Sequence, residues 1–122
     1  METIRFTYNW NTRGKGHPGK LDLKAFTTLR LKNENKYKVG ELYRVVLEQG
    51  KEEINKGIFQ IIDIRIFLLK NINHFVALID TGYDIETCQN MIKKMYQAKA
   101  IDWETQELMF IILHNVSLPE NA

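Results

Sequence analysis

Ile4, Phe6, Tyr8 and Trp10 alternate with Arg5, Thr7 and Asn9, the period-2 pattern of a half-buried strand. Gly14, Gly16, Pro18 and Gly19 then mark residues 11–20 as an open loop. Lys24 to Leu31 reads as a second strand, with Phe26, Thr28 and Arg30 on one face and Thr27, Leu29 and Leu31 on the other. Val39-Gly40-Glu41 forms the turn into a strand over Leu42 to Glu48, and the polar stretch Gln49 to Gly57 reads as turn. Ile58 to Leu69 is a long strand with Ile58, Ile62, Ile64, Ile66 and Leu68 on one face. Its other face mixes Phe59, Ile61 and Phe67 with Asp63 and Arg65, and burial on both sides for part of its length suits a curved barrel better than a flat sheet.

The period then changes. Ile72, Phe75, Val76 and Ile79 fall at i, i+3, i+4, i+7, which predicts a helix capped by Asn71 and ended by Gly82, with those four residues on its buried face. Asp84 caps a second helix whose stripe is Ile85, Cys88, Met91, Ile92, Met95 and Tyr96. Lys93, Lys94 and Lys99 sit toward its C-terminus, where cations complement the helix dipole. Glu107 to Val116 closes the chain as a strand. The order β-β-β-β-α-α-β predicts an α+β fold, a strongly bent, mostly antiparallel sheet or barrel with helices at one side. No repeat or composition break divides the 122 residues, so 1–122 reads as a single domain.

Apolar residues at 44% and charged residues at 26% exclude disordered and fibrous classes. Cys88 is the single cysteine, so no internal disulfide forms, and a reducing compartment is the expectation. The start, Met1-Glu2-Thr3-Ile4-Arg5, lacks the basic and apolar regions of a signal peptide, and no apolar run reaches bilayer length. A cytoplasmic protein without a membrane partner is expected.

Net charge is +2, but it is uneven. Residues 13–38 hold Arg13, Lys15, Lys20, Lys24, Arg30, Lys32, Lys36 and Lys38 against Asp22 and Glu34, a net +6 that leaves −4 for the remainder. One basic segment on an acidic body suits an anion-facing surface, with a solvated lysine-rich loop as the plainer alternative. Gly14 to Lys20 has P-loop spacing as far as its lysine, but Leu21 follows where a Mg²⁺-holding hydroxyl belongs, and no helix comes next. His17, His74 and His114 lack ligand spacing, so neither a metal nor any other cofactor is expected. Ser117, the sole serine, lies in the C-terminal tail, and Cys88 sits in a helix stripe where thiols pack.

Two segments remain as candidate sites. Lys24-Ala25-Phe26-Thr27-Thr28-Leu29-Arg30 gathers an aromatic, two hydroxyls and two cations, the groups that stack on a base and bind phosphate or a base edge. Asp80-Thr81-Gly82-Tyr83-Asp84, at the helix junction, joins a carboxylate and an aromatic. A strand edge and an ordinary helix ending account for the same residues without a ligand.

The run Phe26 to Arg30, followed by Lys36-Tyr37-Lys38-Val39-Gly40-Glu41-Leu42-Tyr43, resembles the signature of ASCH domains. Thr7-Tyr8-Asn9-Trp10-Asn11, Asp80-Thr81-Gly82-Tyr83, Met95-Tyr96 and Ile101-Asp102-Trp103-Glu104 are similar to a bacterial or phage branch of that family, so the likeness spans nearly the whole chain. It implies a PUA-like, mostly antiparallel β-barrel with two or three flanking helices and a cleft for RNA or a nucleoside. Lys24, Phe26, Thr27, Thr28, Arg30 and Tyr83 would be its binding residues.

Some members of the family remove an acyl group from N4-acetylcytidine with a lysine, a threonine and a glutamate, the first two in the motif G-x-K-x-x-T-x-R. Aligning Thr28 and Arg30 places Ala25 at the lysine position, whereas aligning Lys24 and Thr27 places Leu29 at the arginine position. The implied catalytic set is Thr28 as nucleophile, Lys24 as base and Asp80 as acid. The leading expectation is an RNA- or nucleoside-binding module, with the amidohydrolase second and a protein-interaction domain with a protein partner third.

Overall fold

The computed structural model describes residues 1–7 and 19–117, so Tyr8, Trp10 and most of the 11–20 loop lie outside the described residues. Among the described residues five strands are formed: β1 (Glu2–Phe6), β2 (Ala25–Leu31), β3 (Leu42–Gln49), β4 (Glu52–Leu68) and β5 (Glu107–Asn115). Between β4 and β5 come α1 (His74–Thr81) and α2 (Ile85–Met95), and short 3-10 turns occupy Lys20–Asp22 and Leu69–Asn71. The fold is α+β. All five strands join one mixed sheet in the order β1-β3-β4-β5-β2, in which β1 runs parallel to β3 and every other pairing is antiparallel.

Residues 52–57, expected as turn, instead extend β4 and pair with β3 from Asn55↔Val46 to Glu52↔Gln49. Gly50, at φ +61°, makes the tight connection. The polarity that suggests a turn comes from exposed side chains, Glu52, Glu53 and Asn55, at the end of the β3–β4 hairpin. The register sets Glu48 opposite Glu53, a like-charge pair that would repel. Arg5 of β1 resolves this by donating from one Nη1 to both carboxylates.

At about 4.8 Å between neighbouring strands, the edges of a flat five-stranded sheet would lie about 19 Å apart. Here the edge strands touch: the rings of Phe6 and Phe26 pack edge-on with centroids 5.6 Å apart, and Arg30 Nη2 donates to the Arg5 carbonyl at 2.8 Å. The sheet therefore curls until β1 and β2 meet through side chains, without a hydrogen-bonded ladder closing it among the described residues. Irregularities at Val45/Val46 and Ile61/Asp63 supply local bends, as β-bulges do. Inside the curl lie Ile4, Phe6, Phe26, Tyr43, Phe59, Ile61 and Leu113. Leu29, Leu69, Val76, Ala77, Cys88, Ile92, Leu108 and Phe110 form a second core.

Helix α1 departs from its expected orientation. Asn73, not Asn71, caps it by accepting from Val76 N at 2.9 Å, and Gly82 ends it in the left-handed region at φ +79°. Phe75 is 77% exposed, and Leu78 and Ile79 also face solvent, while the buried face carries Val76, Ala77, Asp80 and Thr81. Burial of Asp80 and Thr81 is tolerable because both are hydrogen-bonded: Asp80 accepts from two side chains on other elements, and Thr81 Oγ1 donates to Ala77 O at 2.8 Å. Apolar periodicity cannot register such partners. Helix α2 follows its stripe, with Asp84 accepting from Thr87 N at 2.8 Å and Cys88 and Ile92 buried. No helix among the described residues is long and apolar enough to cross a membrane.

Candidate functional site

A cleft of about 240 Å³ opens where the two sheet edges meet the helices. Arg5, Phe6 and Thr7 of β1 and its end line one wall, and Thr28, Leu29 and Arg30 of β2 line another. Consecutive residues of both strands border the space, so it faces the strand edges rather than a sheet face. Met91, Ile92 and Met95 of α2 and Tyr96 just after it form an apolar wall, and Lys20, Asp80 and Thr81 complete the lining.

Lys20 and Asp80 are the unusual pair, since both charged groups are buried, with side chains 6% and 8% exposed. Lys20 Nζ donates to Asp80 Oδ1 at 3.3 Å and to the Asp80 carbonyl at 3.2 Å. Both contacts are longer than about 2.7–2.9 Å, the usual range for charge-assisted bonds. The same Oδ1 accepts a shorter bond, 2.9 Å, from the Thr27 hydroxyl. Burial pushes the Lys20 ammonium below its ordinary pKa, and Asp80 only partly restores it. An amine moved toward neutrality beside a carboxylate and hydroxyls can exchange protons with a ligand.

Arg30 is held on three sides. Its guanidinium lies 4.5 Å from the Phe6 ring centroid, its Nε donates to Thr28 Oγ1 at 3.2 Å, and its Nη2 donates to Arg5 O. Two other cations of the basic segment have acidic partners. Lys32 meets Glu34 and Glu107, Lys20 meets Asp80, and the acid Asp22 takes Lys56.

Of the residues expected in a site, the structure gathers Thr28, Arg30 and Asp80 around one cleft, with Thr27 bonded to Asp80 behind it. Phe26 does not reach the cleft: it is 5% exposed and packs edge-on against Phe6 and Phe59 in the core. Lys24 is exposed at the start of β2 and is not among the cleft residues, and neither is the half-exposed Tyr83. Phe26 and Thr27 instead border a second hollow of about 230 Å³, which shares Lys20 with the first.

Lys20 and Tyr96 are the residues the sequence reading passed over as site members. Lys20 sat inside what read as a basic loop, and the available signal was Leu21 beside it, an apolar residue that proves to be 1% exposed and anchors the turn. Tyr96 was assigned to a core stripe, yet it is only half-buried and turns toward the cleft. Among the described residues no cluster of His, Cys, Asp or Glu could hold a metal ion. Comparison of the sequence with protein-family models and curated proteins, and of the fold with solved structures, finds no match.

Proposed function

We propose that the cleft binds a nucleoside-sized ligand, either free or as an unpaired base of RNA. The carrying observation is the convergence on one small cleft of the buried Lys20–Asp80 pair, Thr28, Arg30 and the half-buried Tyr96. Ammonium, carboxylate and hydroxyl groups offer both donors and acceptors to a base edge. Tyr96 and the methionines offer an apolar surface against which a base can lie. A cleft of about 240 Å³ is small for a drug-sized molecule, for which about 300–1,000 Å³ is typical, and suits one base with part of its sugar. In this reading the curled sheet whose edges meet at Phe6 and Phe26 takes the part of the barrel that the resemblance to ASCH and PUA-like domains implies.

Titration of the ¹⁵N-labelled protein with the common nucleosides, N4-acetylcytidine and short single-stranded RNA tests the proposal. Shifts should concentrate at residues 28–30, 80–81 and 91–96. Their absence across the whole panel refutes it.

One observation favours a second reading, amide hydrolysis on an acylated nucleoside. Lys20, rather than Lys24, stands with Asp80 at the cleft. In this reading the Lys20 amine takes the proton as Thr28 Oγ1 attacks the acyl carbon, and Asp80 assists transfer of a proton to the departing exocyclic nitrogen. Water then hydrolyses the acyl-threonine. Thr28→Ala should abolish product formation from N4-acetylcytidine while binding persists, and turnover surviving in that variant removes the mechanism.

A further inference from the structure

Arg30 carries the argument further, resting on the same cleft. It is half-buried, yet among the described residues no carboxylate lies within ion-pair distance of it. The contrast with its neighbour is informative, because Arg5 is bridged by both Glu48 and Glu53. A guanidinium has five N–H donors. Nε is committed to Thr28 and one Nη2 hydrogen to the Arg5 carbonyl, which leaves three donors, including both on Nη1. The Phe6 ring, 4.5 Å from the guanidinium carbon, adds a third contact that restrains the group. Thr28 adds a fourth donor: its oxygen accepts from Arg30, and its own O–H has no acceptor among the described residues. The result is an oriented positive fork, on the wall of a cleft, with no carboxylate counter-charge among the described residues.

We infer that Arg30 and Thr28 form an anion subsite, so that the cleft selects ligands bearing a phosphate, a nucleoside monophosphate or a terminal nucleotide of RNA, over the neutral nucleoside. The phosphate accepts from the free guanidinium N–H groups and the Thr28 hydroxyl, while the base end lies toward Lys20 and Asp80. The fork was oriented before any ligand arrives, so little side-chain freedom is lost on binding. Arg5 is excluded from the same task because its charge is already taken by two glutamates.

The test compares cytidine and adenosine with their 5′- and 3′-monophosphates, inorganic phosphate, and a trinucleotide with and without a terminal phosphate, by calorimetry and by the Arg30 Nε–H resonance. Monophosphates should bind at least about tenfold more tightly than their nucleosides, as charge-assisted bonds require. Arg30→Gln should bring the ratio of monophosphate to nucleoside affinity down to about one, and Arg30→Lys, which keeps the charge but loses the fork, should retain a fraction of the ratio. A larger gain for the trinucleotide phosphate than for the mononucleotide identifies an RNA end as the source of the anion. Equal binding of nucleoside and monophosphate to the wild-type protein overturns the subsite while leaving the nucleoside proposal standing. Inorganic phosphate shifting Arg30 while no nucleoside binds upholds the subsite and removes the nucleoside proposal. An Arg30 resonance that no phosphate compound moves overturns the subsite, whatever the variants do.

Discussion

Breaking the Lys20–Asp80 pair from one side should cost more than removing it from both. Two unit charges 3.3 Å apart attract by about 5 kcal/mol at an effective dielectric of 20. Burying each ion costs several kcal/mol, so the pair as a whole is close to neutral for stability. Removing one partner is different, because the survivor must either stay charged without compensation or give up its charge. Either outcome costs several kcal/mol for a buried ion that has lost its partner. Asp80→Asn and Lys20→Met should therefore each lose about 3–4 kcal/mol, close to the range for broken buried pairs. Total stability for 122 residues is of order 6–18 kcal/mol, so each variant should be visibly weakened. The double variant leaves no buried charge, keeps an amide oxygen for the Thr27 hydroxyl and fills the lysine stem with methionine. It should recover at least about 2 kcal/mol relative to the sum of the singles. Urea unfolding at pH 7, with unchanged m-values, measures all three. Singles that add to within about 0.5 kcal/mol would refute the reasoning, since the two groups would then share no energy.

The buried thiol gives a pH prediction with the opposite chemistry. Burial raises Cys88 from an ordinary 9.0 to about 11, so between those values the unfolded thiol ionises first and the folded state holds the extra proton. Stability from this group is complete below pH 9 and lost as pH rises toward 11, by about 2–3 kcal/mol; Cys88→Ala should flatten that limb in a series of urea melts. Lys20 acts in the reverse sense: its lowered pKa lets the unfolded state bind the extra proton, so stability from this residue rises with pH up to its ordinary 10.5. The orientation of α1 is tested by a pair of substitutions: Phe75→Glu should change stability by under about 0.5 kcal/mol, whereas Val76→Ala should cost about 2 kcal/mol, and the reverse ranking would mean the helix is rotated.

Most of the framework could be read from period alone. Strand β1 and the α2 stripe stand out because their apolar residues repeat at 2.0 and about 3.6, and Asp84 and Gly82 sit at helix ends where capping chemistry demands them. The start of β4 was hidden because Glu52, Glu53 and Asn55 are polar on a solvent face, which composition cannot separate from a turn. The buried face of α1 was hidden for the opposite reason. Asp80 falls outside the apolar stripe, and its burial is explained only by Thr27 and Lys20, 53 and 60 residues earlier in the chain. The same distance effect governed the site. Thr28, Arg30 and Asp80 were legible by residue type, but Lys20 was not, since only the turn anchored by Leu21 carries it under the helix. Phe26 was chosen as an aromatic near cations, whereas its neighbours across the curl claim it for the core.

The unclosed seam between β1 and β2 makes the N-terminal strand a semi-detached unit. Its five residues share a ladder with β3 alone, while the opposite margin is tied to β2 by Arg30 and two phenylalanine rings. Such a strand can peel as a separate cooperative unit without melting the four-stranded remainder, so its amides should exchange with solvent sooner than those of β4 and β5. A ligand seated in the cleft touches both sides of that seam. Occupancy would then act as the missing stitch, and slower exchange at Ile4 to Phe6 would report binding even if no group in the cleft itself were observed.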